Sequence, residues 1–423
     1  MIPRACSGAE CTLARADSPA TKAHIEDLAV FGGRPAFPEM LYVGRPNVGN
    51  VERLVERMRD LLERRRLTNG GPYVVEFERQ VARLADVKHC IATCNATIAL
   101  QILIRALGLR GEVIVPSFTF VATAHALEWQ GITPVFADIS EHNHNLDPTQ
   151  VEAAITERTS GILGVHVWSV PCDVEALADI AARHRLELIF DAAHAFGSTH
   201  RGRPIGNFGH AEVFSFHATK FLNSFEGGAI VTNDDSLAAS LRLMHNFGFA
   251  GYDDVISIGI NGKMTEISAA MGITSMESLQ EFIAINRRNY SLYKEELDAI
   301  RGLELIAYGD HDRTNYQYVV LTIDETITAL TRDQLQQVLW AENIMTRRYF
   351  YPGCHRLEPY RTRFPDAGLR LPRTERLAAR VLSLPNGTAV GPAAARAICR
   401  IIRHALANGE AISARLKRLS PGR

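Results

Sequence analysis

The sequence lacks the features that would assign it to several specialised classes of protein. Its 46 basic and 47 acidic residues give a net charge of −1, so charge gives no reason to expect a nucleic-acid or membrane-surface partner. No apolar run approaches the roughly 20 residues that cross a bilayer. The first residues also lack the apolar segment of a secretory signal. We therefore expect neither nucleic acid nor membrane among its partners.

Cysteines are few and scattered. The chain has seven, an odd number, and none belongs to a CxxC pair. This arrangement argues against a disulfide framework and against a zinc site, and we expect no metal. Free thiols are typical of a reducing compartment, so the cysteines favour the cytoplasm.

The 423 residues suit two or three structural units around a large core. We predict a flexible tail over residues 1–27, an arm and large domain over 28–285, and a smaller α/β domain over 286–423. Apolar residues at helical spacing predict helices over Val51 to Arg66 and Tyr73 to Leu84. Strand–helix–strand units then follow, and these predict an α/β fold with a mostly parallel sheet and helices on both faces.

The stretch from Leu186 to Asn233 carries the strongest chemical signal. Asp191 falls where one apolar strand should end, and Lys220 follows the end of a second such strand. Polar residues at the strand ends of an α/β sheet lie at its ligand-binding edge. A carboxylate and an amine there suit pyridoxal phosphate (PLP), whose ring nitrogen needs an anion and whose aldehyde bonds to an amine. Taken singly, the Asp is equally explained as a helix cap and the Lys as a solvated loop residue.

The local motifs resolve that ambiguity through a resemblance. Asp191-Ala192-Ala193-His194, the turn from Ser215 to Lys220, and Glu226-Gly227-Gly228 resemble the active-site segment of the DegT-type sugar-nucleotide aminotransferases, a family of fold-type-I PLP enzymes. The resemblance covers about residues 28 to 410. It implies that Lys220 bonds to PLP and moves the proton, that Asp191 keeps the ring nitrogen protonated, and that pyridoxamine phosphate forms in the half-reaction.

The resemblance also implies the remaining cofactor contacts. His194 would lie on the side of the ring oxygen, and the aromatic ring of Phe120 would stack on the cofactor. The phosphate would be held by Ala96, Thr97 and Ser215, and by Asn261 of a neighbouring subunit in a homodimer with shared active sites. Read without the resemblance, Thr97 is a helix-capping residue, Phe120 is core filler, and Asn261 is a turn residue.

A basic, aromatic loop near residue 350 is the candidate substrate contact. Together with His166, which follows an earlier strand, it could clamp a nucleotide diphosphate and stack its base, although basic loop residues are often simply solvated. The candidates are His166, Arg347, Tyr349, Tyr351 and His355.

Several stretches look most like family members that aminate C4 of dTDP-4-keto-6-deoxy-D-glucose in antibiotic deoxysugar pathways. The expected product is dTDP-4-amino-4,6-dideoxy-D-glucose, with L-glutamate as amino donor. A 3-keto-sugar aminotransferase, or one that forms the galacto epimer at C4, would share every catalytic residue. A sugar dehydratase of this fold would carry His in place of Lys220. A non-catalytic regulator would show a damaged Asp/Lys pair, and here both residues are present.

Overall fold

The computed structural model describes residues 19–309 and 312–419. Short strands alternate with helices along most of this length. The strands are β1 (Leu41–Tyr42), β2 (His89–Thr93), β3 (Glu112–Pro116), β4 (Thr133–Ala137), β5 (Thr159–Val165), β6 (Glu187–Asp191), β7 (Thr199–His200), β8 (Arg203–Pro204), β9 (Ala211–Ser215), β10 (Gly228–Thr232), β11 (Leu303–Leu305), β12 (Val319–Ile323), β13 (Ile344–Met345) and β14 (Val381–Leu384).

The α-helices are α1 (Val51–Arg64), α2 (Pro72–Ala85), α3 (Ala96–Ala106), α4 (Val121–Glu128), α5 (Pro148–Ala153), α6 (Val174–His184), α7 (Asp235–Met244), α8 (Glu266–Glu277), α9 (Leu279–Leu297), α10 (Glu325–Thr328), α11 (Arg332–Ala341), α12 (Tyr360–Arg363), α13 (Pro372–Arg380), α14 (Pro392–Ala407) and α15 (Gly409–Leu419). Short 3-10 helices cover Ile25–Asp27, Ala29–Phe31, Val167–Ser169, Cys354–Arg356 and Ala367–Arg370.

A seven-stranded sheet organises the large domain. Its order is β2-β10-β9-β6-β5-β3-β4, and only β10 runs against its neighbours. The strands β3, β9 and β10 are buried along their whole length, because helices cover both faces of the sheet. The helices α3, α4 and α7 share a core with one face, whereas α2, α6 and α8 cover the other. The predicted α/β fold is confirmed.

The smaller unit follows α9, the helix within which the predicted boundary at residue 285 falls. It contains an antiparallel sheet in the order β11-β12-β14, and residues of α9, α11 and α14 bury one face of it. Among the described residues, no helix is long and apolar enough to cross a membrane.

The N-terminal segment runs from the smaller unit towards the central sheet. Buried Glu342 accepts the backbone N–H groups of Ala29 and Ala36, each at 2.7 Å, and pairs with Lys22 at 2.9 Å. Further along, buried Asn47 donates to the carbonyl of Phe221 at 2.8 Å, just beyond the predicted catalytic lysine. Residues 19–27 of the predicted tail therefore pack on the smaller unit, and its residues 1–18 lie outside the described part. The three-part division of the chain stays a prediction.

Candidate active site

Two neighbouring parallel strands bring the predicted carboxylate and amine to the same edge of the sheet. Asp191 is the last residue of β6, and it pairs in register with Val213 of β9. The strand β9 ends at Ser215, and the chain then turns to Lys220, whose N–H donates to the carbonyl of His217 at 2.8 Å. Because β6 and β9 run in the same direction, both chemical groups lie at the carboxyl edge.

Asp191 is a buried carboxylate, and in the described part of the chain no cationic side chain hydrogen-bonds it. Its Oδ1 accepts the N–H of Ala193 at 3.1 Å, and its Oδ2 accepts the hydroxyl of Thr123 at 2.9 Å. Burial raises the pKa of Asp191, against the opposing effects of these two hydrogen bonds and of the nearby Lys220 charge. Burial therefore disfavours the ionised form of Asp191, and a cation bound beside the carboxylate would stabilise that form.

Lys220 is prepared to act as a neutral amine. Its side chain is partly buried, and burial lowers its pKa to about 8, although the charge of Asp191 opposes the shift. Within the described residues, no hydrogen bond occupies its amine. The N-terminal arm covers the turn, since a Cβ on Gly44 would lie 3.1 Å from the side chain of Thr219. An amine with this pKa is available as a nucleophile and as a base near neutral pH.

The start of α3 offers backbone donors for an anion. Asn95 is its N-cap, and its side chain accepts the N–H of Ile98 at 2.9 Å. The N–H groups of Ala96 and Thr97, in the first turn, cannot be used within the helix. The start of β10 lies close by, because a Cβ on Gly228 would come within 2.6 Å of the Ala96 nitrogen. Gly228 pairs in register with Ser215. Because Gly228 has no Cβ, β10 can approach α3 closely, and the predicted phosphate contacts at Ala96, Thr97 and Ser215 come together.

Aromatic rings surround His194. Its imidazole stacks on Phe350 with the ring centroids 5.6 Å apart, and Tyr318 lies 4.5 Å away at an inclined angle. Its Nδ1 accepts the backbone N–H of Trp168 at 3.2 Å. Burial, with a smaller contribution from Lys220, lowers the pKa of His194 well below its usual value. The ring is therefore neutral with its proton on Nε2, which leaves one N–H donor.

Phe120 and Asn261 are both accessible. Phe120 precedes α4, and 58% of its surface is exposed, so its ring is available for stacking. Asn261 is exposed on the loop before α8. The next residue, Gly262, accepts the N–H of Cys94 at 2.8 Å, which places this loop beside the approach to α3. Their cofactor contacts stay predictions.

The structure does not bring two of the predicted substrate residues to the surface. His166 is fully buried, with Nε2 3.2 Å from Glu212 and Nδ1 accepting the N–H of Cys172. His355 is also buried, and its two ring nitrogens lie 2.6 Å from Ser117 and Glu375. Both histidines have their ring nitrogens occupied by protein groups, so neither presents a free polar atom to a substrate.

The other three substrate candidates keep accessible surface. Arg347 is exposed, and its backbone pairs with Ser383 of β14. Tyr349 is partly buried beside Tyr318, at 6.3 Å between ring centroids. Tyr351 is half-exposed, with two guanidinium groups over its ring, those of Arg332 and Arg348. Their role as substrate contacts stays a prediction.

Comparison with known proteins decides the family. A model of the DegT/DnrJ/EryC1/StrS aminotransferase family matches residues 50–403, which is most of the chain. The protein belongs to this family. The dTDP-4-amino-4,6-dideoxy-D-glucose transaminases of Escherichia coli and Shigella dysenteriae are each 35% identical to it, over 81% and 76% of this chain and 92% and 87% of theirs. The structure of DesI in the presence of its TDP-sugar product is 51% identical, has a TM-score of 0.88, and covers 93% of this chain and 100% of DesI.

Membership of the DegT/DnrJ/EryC1/StrS family confirms the predicted resemblance, the fold type and the aminotransferase class. The family depends on PLP, and the residues of this chain fit that cofactor on three observations. Among the described residues, no group hydrogen-bonds the amine of Lys220, and its charge acts on Asp191, a buried carboxylate that receives no hydrogen bond from a cation. Unused N–H groups open α3, and an exposed aromatic ring precedes α4. These are the groups that an aldehyde, a pyridinium nitrogen, a phosphate and a flat ring require.

Three further residues contact the residues of this site, and two of them, Thr123 and Tyr318, were not singled out from the sequence. Thr123 binds Asp191, and Tyr318 leans over His194. Ser169 has a φ of 70°, a conformation that favours glycine, and its hydroxyl donates to the carbonyl of His194. No local pattern in the sequence marks Thr123 or Tyr318, because each contacts a residue that is distant along the chain. Among the described residues, no cluster of three or more His, Cys, Asp or Glu side chains could hold a metal ion.

Proposed function

We propose that this protein transfers an amino group from L-glutamate to C4 of dTDP-4-keto-6-deoxy-D-glucose, giving dTDP-4-amino-4,6-dideoxy-D-glucose. The observation that carries the proposal is the intact Asp191–Lys220 pair in a chain whose curated relatives bear that transaminase name. The DesI structure with its TDP-sugar product, at 51% identity, supports a thymidine-diphosphate sugar. The five cysteines within residues 19–309 and 312–419 are all free, which supports a reducing compartment, and we propose the cytoplasm.

The roles of the side chains follow from their surroundings. Bound PLP supplies an aldehyde carbon and an electron-withdrawing ring, through which an amine can be exchanged for a ketone. The carboxylate of Asp191 would keep the ring nitrogen protonated. The Nζ of Lys220, with its pKa of about 8, takes the proton from Cα of the amino donor. The first-turn N–H groups of α3 and the hydroxyls of Thr97 and Ser215 bind the phosphate and so orient the ring. His194, whose Nδ1 accepts the N–H of Trp168, would have its Nε2–H available for the ring oxygen of bound PLP.

The test is a coupled assay on the purified protein with PLP and L-glutamate. Given dTDP-4-keto-6-deoxyglucose, it should yield an amino sugar whose NMR spectrum shows an equatorial C4 amine. The 3-keto isomer, supplied separately, should yield nothing. An axial C4 amine would identify a galacto-forming enzyme, and a C3 amine would overturn the proposed position of amination.

We further propose a homodimer whose subunits share their active sites. Several large apolar side chains of the loop at residues 247–260 are exposed to water. Trp129, which directly follows α4, is also 79% exposed. Trp129, Ile258 and Ile260 line a common cavity of about 310 Å³. Exposed apolar side chains that are grouped in one region of a surface favour a protein partner. Because Asn261 directly follows the loop, a second copy docked here would gain an amide near its cofactor phosphate.

Subunit mixing tests the shared site. Lys220→Ala and Asn261→Asp should each be nearly inactive alone, the second because its charge repels the phosphate. Re-associated from an equal mixture, they should recover about a quarter of wild-type activity, since half of the dimers are mixed and each holds one intact site. Mixing Lys220→Ala with Asp191→Asn is the control. Both residues belong to one subunit's site, so no intact site forms. Equal, negligible recovery in both mixtures would contradict the shared site.

A further inference from the structure

Two buried hydroxyls form a chain that ends on Asp191. Thr119 directly precedes Phe120, the N-cap of α4, and Thr123 lies in the first turn of that helix; the two threonines are 4% and 0% exposed. Their Oγ1 atoms lie 3.0 Å apart. The Oγ1 of Thr123 lies 2.9 Å from Oδ2 of Asp191. No other side chain among the described residues hydrogen-bonds this carboxylate.

The direction of the chain follows from counting donors. An ionised carboxylate only accepts hydrogen bonds, so the hydroxyl proton of Thr123 must point at Asp191. Having used its single proton, Thr123 can only accept from its neighbour, and Thr119 must therefore donate. Both bonds then polarise in the same sense, towards the carboxylate, and such a chain strengthens its last bond.

The hydroxyls are not explained by packing. Valine would fill the same volume without placing polar atoms in a buried position, where each costs free energy unless it is hydrogen-bonded. Nor does either threonine cap the helix, because Phe120 occupies the N-cap position and no side chain caps α4. The turn instead holds Asp191 from one side while the N–H of Ala193 holds it from the other, at 3.1 Å.

We propose that Thr123, oriented by Thr119, is a positioning residue that holds the carboxylate of Asp191 ionised and aimed at the ring nitrogen of PLP. This inference deepens the proposed function and rests on it. The same turn carries Phe120. It therefore connects Asp191, which would keep the PLP ring protonated, with the aromatic side chain that is expected to stack on that ring. Without the Thr123 hydroxyl, one carboxylate oxygen would be buried with no donor, and protonation of Asp191 would relieve that cost.

The test measures cofactor binding and the state of the ring, not only turnover. Thr123→Val should raise the Kd for PLP by roughly 10- to 100-fold, the effect of losing a hydrogen bond to a charged group. With PLP labelled with nitrogen-15 in its ring, the NMR resonance should move from the protonated towards the neutral position. Thr123→Ser, which keeps the hydroxyl, should restore both readouts. Thr119→Val should raise the Kd less, by about twofold to fivefold, because it acts through Thr123.

A matched control is available far from the site. The exposed Thr326 also donates its hydroxyl to an aspartate, Asp324, at 2.7 Å, so Thr326→Val should change neither the Kd nor the ring resonance. If Thr123→Val lowers the melting temperature but leaves both readouts at wild-type values, the positioning role is wrong. If Thr123→Val does not fold, the Thr119→Val and Thr123→Ser variants decide the matter by the same two readouts. A wild-type protein that binds no PLP would instead overturn the proposed function, and this inference with it.

Discussion

Replacing Lys220 with alanine is expected to reduce transamination by roughly 10³-fold or more, because the variant loses the amine that anchors the cofactor and also the base that moves the proton. Its cofactor should lack the visible absorbance of the wild-type enzyme. Borohydride reduction followed by peptide mass mapping should place PLP on Lys220 in the wild type only. Lys88→Ala is the control, since Lys88 is exposed and paired with Asp235 at 3.5 Å, away from the carboxyl edge. Retained turnover in Lys220→Ala would contradict the assignment.

The lowered pKa of Lys220 makes this prediction quantitative in pH. Only the neutral amine attacks an aldehyde, and burial lowers the pKa of Lys220 to about 8. The rate at which the apoprotein incorporates PLP should therefore rise with pH, pass its midpoint near 8, and level off above that value. An amine with the ordinary lysine pKa would keep gaining rate up to about pH 10. A stopped-flow titration of the apoprotein distinguishes the two profiles.

The sequence predicted those parts of the protein that depend on short-range signals. The helix predicted over Val51 to Arg66 is observed over Val51–Arg64, where its apolar residues recur at helical spacing and Arg65 ends it in a left-handed conformation. Asp191 and Lys220 were found because each lies at or just after the end of a short apolar strand. In parallel strands the local sequence is enough to place such residues at one edge.

The same reasoning could not predict which polar residues are already used by the protein. His166 follows a strand, as Asp191 ends one, but its side chain is engaged by Glu212, a residue 46 positions away. His355 sits in a basic loop, but contacts Ser117 and Glu375. Thr123 was overlooked for the opposite reason, because its partner is 68 residues away. Partners distant in sequence are set by the packing of the sheet and its helices, which spacing alone does not encode.

Burial of polar groups thus has two different consequences at this site. His166 and His355 are buried and fully hydrogen-bonded, so they contribute to the structure that supports the site. Asp191 and Lys220 are shielded from water, and their charged forms are not fully compensated by protein partners. The pKa of Asp191 is raised and that of Lys220 is lowered, so both shifts favour the neutral form. Groups of the second kind are destabilised until a ligand completes them, which is the usual relation between stability and function at an active site.

Asp191→Asn tests that relation, because it should damage function while stabilising the protein without its cofactor. Asparagine cannot hold a proton on the ring nitrogen, and we expect turnover to fall by roughly 10²- to 10³-fold, as for the loss of a preorganised electrostatic contact. The affinity for PLP should fall as well. In the apoprotein, however, the substitution removes a carboxyl group whose ionisation is disfavoured by burial. The melting temperature of the apoprotein at pH 7.5 should therefore rise, as measured by calorimetry.

The sign of the stability change follows from the direction of the pKa shift. A carboxyl group whose pKa is raised on folding destabilises the folded state above its folded pKa, and this cost disappears below the unfolded value of about 3.9. Asp147 provides the opposite case. Burial raises its pKa, but hydrogen bonds from Thr149 and the ion pair with Arg373 outweigh burial and lower it overall. Its charge stabilises the fold above the unfolded pKa, and that stability is lost as the pH falls through the folded pKa.

Asp147→Asn should accordingly lower the melting temperature at pH 7.5 and leave PLP binding unchanged. The two aspartates are both buried, so burial alone predicts the same effect for both substitutions. Opposite shifts in melting temperature would show that the difference lies in the partners of the two carboxylates. Asp147 has two hydrogen-bond donors and the cation of Arg373, whereas Asp191 has two donors and awaits the cation of the cofactor. A lower melting temperature for apo Asp191→Asn would mean that Thr123 and Ala193 already satisfy the charge. Burial of the carboxylate would then not destabilise the apoprotein, and the proposed trade of stability for cofactor binding at Asp191 would be contradicted.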